Sequence, residues 1–90
     1  MEKNDNKLRK LIFDEEGLKS LAKRLKELRS EKGISQEELA YRAEITLSQI
    51  ARIETVKINP TVSTIFKIAR ALDVPLSDIF DFELIQSSTE

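Results

Sequence analysis

Apolar residues recur along this chain at intervals of three and four, the spacing that lines one face of an α-helix. Leu18, Leu21, Leu25 and Leu28 form the clearest stripe, with Lys19, Lys23, Lys26 and Glu27 left for the outer face. Asp14 precedes it as an N-cap, Glu15 and Glu16 sit at the positive end of the helix dipole, and Phe13 is placed to staple onto Leu18. Gly33 supplies the stop, so a long helix is expected to end near Lys32. Two short helices follow. Ser35 with Glu38 is a capping box opening a helix through Ala43, with Leu39, Ala40 and Ala43 inward. Thr46 with Gln49 repeats that logic almost at once, opening a helix whose buried side is Ile50 and Ile53. Asn59 and Pro60 break the chain, and Thr61 caps a fourth helix whose expected core face is Val62, Ile65, Ile68, Ala69 and Leu72. Pro75 introduces a short fifth around Ile79 and Phe80. Upstream, the spacing of Leu8, Leu11, Ile12 and Phe13 can support a short amphipathic helix after Asp5 or Asn6, whose apolar side we expect to pack against the first long helix. No alternating run bounded by glycine suggests a strand, so the expected class is all-α.

Two capped short helices joined by three residues have a specific geometric use. The second can project from the body and enter a groove about 12 Å wide. The first must approach it closely, which favours a small residue at its middle; Ala40 meets that need and Ile50 answers from the other helix. Glu44, Ile45 and Thr46 form the turn, with Ile45 as the apolar plug that fixes the angle.

Charge and composition narrow the reading. The formal net charge is -1, but residues 1–72 hold all 15 basic side chains against 11 acidic ones, while residues 73–90 carry five acids and no base. One end can therefore face a polyanion while the other faces solvent or protein. The absence of cysteine and histidine excludes disulfides, thiolate nucleophiles, imidazole bases and nearly every zinc site. No pair of carboxylates is placed in an evident pocket, so no enzyme, cofactor or metal is expected. No run is apolar enough to cross a bilayer and no secretory pattern occurs, so a cytoplasmic location without membrane contact is expected.

At Leu28-Arg29, Ile34-Ser35-Gln36-Glu37-Glu38-Leu39-Ala40, Ile50 with Ile53-Glu54, Asn59-Pro60 and Ile68-Ala69-Arg70-Ala71-Leu72-Asp73-Val74, the sequence resembles the lambdoid phage repressor and Cro type of helix-turn-helix, the XRE-type regulators. The likeness spans about Leu18 to Phe80. It implies a five-helix, lambda-repressor-like DNA-binding domain, here with a short N-terminal extension that can be helical, acting as a transcriptional repressor. It also implies a homodimer on a pseudo-palindromic operator in double-stranded DNA, with half-sites about 34 Å apart. Carried over residue by residue, the base-reading candidates are Thr46, Leu47, Ser48, Gln49 and Arg52, on a recognition helix running from Leu47 to Thr55. Arg52 suits guanine, Gln49 adenine and Leu47 a thymine methyl, although the capping box competes for Gln49. Gln36, Arg42, Thr55, Lys57 and Asn59 are the phosphate candidates. Arg29 with Glu54 matches a structural ion pair of the family.

The expected division is an extension over 1–17, the DNA-binding domain over 18–82 and a frayed acidic tail over 83–90. Ile79, Phe80 and Phe82 are candidates for a dimer seam. Tyr41 is expected to be a half-buried packing residue. Lys7, Arg9 and Lys10 have two readings, an arm on DNA or a packed helix, and packing is preferred. Where the family has glycine, this chain has Glu44 in the turn and Val56 after the third helix, positions that favour positive φ. The rival function is an antitoxin or protein-interaction module holding a partner such as a toxin.

Overall fold

The computed structural model describes residues 2–84, with side chains from Lys7 onward; the tail reading over 85–90 lies outside them. Six helices follow in order: α1 (Glu2–Ile12), α2 (Glu15–Lys32), α3 (Gln36–Ala43), α4 (Leu47–Glu54), α5 (Val62–Leu72) and α6 (Leu76–Ile79). There is no strand among the described residues.

Each of the four middle helices begins on a side-chain cap. Asp14 accepts from the Gly17 amide, Ser35 from Glu38, Thr46 from Gln49 and Thr61 from Thr64. Only α4 closes the full box, with Gln49 Oε1 accepting from the Thr46 amide at 3.0 Å. Caps of this kind contribute about 1 kcal/mol each.

The same four helices end alike. Gly33, Glu44, Val56 and Asp73 all take positive φ, between 57° and 70°. The amides after them, of Ile34, Ile45, Lys57 and Val74, bond back to Arg29, Ala40, Arg52 and Ala69. This six-to-one closure defines the Schellman motif, which seats an apolar residue after the left-handed one against the helix it ends. Ile34, Ile45 and Val74 do this and pack on the core. Lys57 is the exception and stays exposed.

The core is built from Leu25, Leu28, Leu39, Ile50, Ile68, Leu72 and Ile79, all fully buried. It lies where α2 meets α4, α5 and α6, and where α3 meets α4 and α5. Arg24 on α2 closes the far end by donating from Nε to the Asp78 carbonyl at 2.6 Å.

Five sequence expectations change. Val62 is 65% exposed rather than core, because it opens α5 one turn before Ile65 and no described residue covers it. Tyr41 is 83% exposed rather than half-buried. At 100° per residue it stands about 150° from the centre of the arc formed by Leu39, Ala40 and Ala43. Ile79 is completely buried within its own chain, so it cannot line a dimer seam; Phe80, exposed, and Phe82, half-buried, remain free to do so. The first helix begins at Glu2, with Asp5 and Asn6 inside it. Leu8, Leu11 and Ile12 are exposed rather than packed on α2, since α1 is held to the body through Arg9, Phe13 and Ile12's carbonyl instead.

Candidate nucleic-acid interface

The α3–α4 unit is rigid for reasons that can be traced residue by residue. Ala40 and Ala43 bring α3 close to α4, Ile50 fills the contact, and Ile45 wedges the turn from a partly buried position. Glu44 takes φ 59° and ψ 43° to turn the chain, and Thr46 restarts it.

On α4 the buried residues are Ile50, Ile53 and Glu54. At 100° per residue, the opposite arc holds Ser48, Ala51, Arg52 and Thr55, while Leu47, at the head of the helix, lies on the flank nearer Glu54. Leu47, Ser48, Arg52 and Thr55 are exposed, and Ala51 is half-buried between them. Ala51 is absent from the sequence-based candidates, yet its position was available from helical spacing alone. Thr46 is exposed at the head of the helix; Gln49 is half-buried with its carbonyl oxygen committed to the cap. The outward Gln49 chemistry is therefore chiefly the donor end of its amide.

Thr55 caps the helix from below, donating its hydroxyl to the Ala51 carbonyl at 2.8 Å. Lys57 and Arg52 form no ion pair among the described residues, whereas Arg42 is bound to Glu38 at 2.7 Å in an exposed pair one turn apart. Asn59 donates to the Ile12 carbonyl at 3.1 Å, tying the loop after α4 to the end of α1.

Behind this surface lies the most buried charge of the described chain. Glu54 is 5% exposed and accepts three hydrogen bonds: from Arg29 Nε at 2.7 Å, Arg29 Nη2 at 2.9 Å and Gln36 Nε2 at 2.9 Å. Arg29 spends a further nitrogen on the Ile34 carbonyl at 3.0 Å. The hydrogen bonds to Glu54, aided by its charge and opposed by burial, hold the Arg29 guanidinium above its ordinary pKa. This network joins α2, the first residue of α3 and the last of α4. Gln36 thus turns its amide nitrogen inward, and what the start of α3 offers an anion is its first-turn backbone N–H groups.

Arg9 is the other connection that sequence spacing did not reveal. Its guanidinium stacks on Phe13 at 4.1 Å, approaches Glu15 at 3.4 Å, and donates to the Val56 carbonyl at 3.2 Å across 47 positions. Val56 keeps φ 60° there despite its branched side chain.

Comparison with known proteins agrees with this geometry. The helix-turn-helix family profile matches residues 25–79. An uncharacterised helix-turn-helix-type transcriptional regulator of Archaeoglobus fulgidus is 38% identical over 60 residues, covering 67% of this chain and 84% of that protein. The immunity repressor of Bacillus phage phi105 is 33% identical over 66 residues, covering 73% of this chain and 46% of the repressor. Among solved structures, the restriction-modification controller protein C.AhdI of Aeromonas hydrophila superposes with a TM-score of 0.68 at 36% identity, over 70% of this chain and 96% of that one. These relatives favour a regulator over the antitoxin or protein-interaction module. The chain belongs to the helix-turn-helix family of DNA-binding transcriptional regulators.

Proposed function

We propose that the protein is a sequence-specific repressor that binds a pseudo-palindromic operator as a homodimer in the cytoplasm, with α4 of each protomer in a major groove. The observation that carries this reading is the single outward stripe of Ser48, Ala51, Arg52 and Thr55, with Leu47 exposed at its head, on a helix whose other side is core. Arg52 reads guanine through O6 and N7, the strongest single contribution at about 1–3 kcal/mol of discrimination. Ser48 and Thr46 add hydroxyls, Gln49 adds a donor, and Leu47 with Ala51 meets thymine methyls. Ala51 has a second effect, since a small side chain at the middle of the stripe lets the helix approach the base edges.

Around this stripe, Lys57 holds one phosphate strand from the loop after α4, joined by Asn59 through the second hydrogen of its amide and by Thr55 once its hydroxyl leaves the Ala51 carbonyl, and Gln36 with Arg42 holds the other from α3. Gln36 acts through its backbone N–H, and Arg42 must exchange Glu38 for phosphate, so Arg42 is the weaker contributor.

Selection of a random duplex library by the purified protein, beside an Arg52→Ala variant, tests the proposal. The parent is expected to enrich a two-fold symmetric site, and the variant to relax one base pair in each half. No enrichment by the folded parent would refute it.

A further inference from the structure

We propose that α1 is one half of a self-complementary surface joining two copies of this chain, its Leu8, Leu11 and Ile12 face packing on the partner's groove beside α5 and α6. The inference rests on the homodimer of the proposed function and assigns it an element outside the five-helix bundle.

Three observations support it. First, among the described side chains α1 is hydrogen-bonded to its own body through Arg9 and the Ile12 carbonyl, and it leaves Leu11 79% and Ile12 66% exposed. A helix with that apolar face toward water is unsatisfied as it stands. Second, Leu11 and Ile12 of α1 form the edge of a groove of about 880 Å³ whose other walls include Leu18, Val62, Phe66 and Phe80. The ridge of α1 and this groove lie side by side on one protomer, the arrangement a two-fold axis turns into reciprocal ridge-in-groove contacts. Leu8, Leu11 and Ile12 on α1 and Val62, Phe66, Phe80 and Leu84 beside the groove are all at least 40% exposed, a gathering of exposed apolar side chains of the kind that marks an interaction site.

Third, the rim carries both signs. Lys7 and Lys10 stand on α1, Asp81 and Glu83 on the segment after α6, and none of the four forms an ion pair among the described residues. A two-fold pairing sets the basic rim of one copy on the acidic rim of the other, twice over. That bipolar rim is what selects a second copy as the occupant.

Sedimentation equilibrium of the full chain tests this. The parent is expected to be dimeric at micromolar concentration, and Leu11→Glu to weaken self-association by at least about tenfold, since a carboxylate would be buried in the contact. Far-ultraviolet circular dichroism should show unchanged helicity, Leu11 being exposed; Tyr41→Glu, equally exposed but remote from the patch, should leave the dimer intact. A chain with Lys7→Glu and Lys10→Glu, and a second with Asp81→Lys and Glu83→Lys, should each dimerise at least about tenfold more weakly than the parent but form a heterodimer when mixed. A dimeric parent with a Leu11→Glu variant that dimerises as tightly would overturn the assignment of α1 and leave the homodimer standing. Failure of the mixed chains to pair would overturn it likewise. A parent monomeric throughout would remove the homodimer itself.

Discussion

Replacing Glu54 with leucine removes a three-bond acceptor from a site water barely reaches, and the structure fixes what that should cost. Breaking a buried ion pair from one side costs about 3–5 kcal/mol, because the remaining charge stays desolvated. Here the abandoned partner is Arg29, whose side chain is 18% exposed and keeps its bond to the Ile34 carbonyl, so about 2–3 kcal/mol is the appropriate figure. Arg29→Met should cost more, about 3–5 kcal/mol, since it leaves the better-buried Glu54 with Gln36 alone. The double variant should recover to within about 1 kcal/mol of the parent, since two apolar side chains strand no charge.

Urea unfolding at constant m reads all three differences. A Glu54→Leu loss below about 0.5 kcal/mol, or two losses that simply add in the double variant, would refute the argument that the pair acts as one buried unit. The pH dependence has a definite sign. Arg29 is held above its unfolded pKa, so its contribution is fully present below that value and fades only as pH rises beyond it. The cost of Arg29→Met arising from this group should therefore be flat between about pH 6 and pH 9. DNA affinity should fall in Glu54→Leu even where the protein is fully folded, because the network fixes α4 against α2 and α3.

Lys57→Ala should weaken operator binding about equally for all sequences and reduce the slope of log K against log salt by about 1 per half-site; an altered sequence preference without a change in slope would remove Lys57 from the phosphate strand. Glu44→Gly should stabilise by about 0.5–1 kcal/mol, since relief of the left-handed strain exceeds the added entropy of the unfolded chain. Asp73→Gly should gain less, because aspartate tolerates that conformation better; thermal unfolding checks both, and a loss at Glu44→Gly would contradict the turn geometry.

Helix starts were legible because each rests on two or three adjacent residues: Asp14, Ser35, Thr46 and Thr61 all cap their helices, although the expected Ser35–Glu38 box stays half made because the Glu38 carboxylate turns to Arg42. Burial by stripe was legible where the stripe faced the bundle, as with Leu21, Leu25 and Leu28, and misleading where an element ran past it, as with Val62 and α1. An amphipathic pattern states that a face needs cover without stating which surface supplies it. Tyr41 misled through its size, although its angular position already placed it outward. The tethers of the loop after α4 were not legible, since Arg9 and Val56 are 47 positions apart and so are Ile12 and Asn59.

Those tethers change what the N-terminal segment means. A recognition helix reads sequence only if its ends are held, and the far end of α4 is held from three directions. Arg29 and Gln36 grip Glu54 from α2 and α3, Arg9 fixes the carbonyl of the left-handed Val56, and Asn59 anchors the loop on the end of α1. Lys57, displaced outward because its Schellman position lacks an apolar anchor, sits between two of these fixed points. The strained Val56 is thus stabilised by a contact made outside the five-helix bundle, and α1 acts on the loop after α4 through Arg9 and the Ile12 carbonyl.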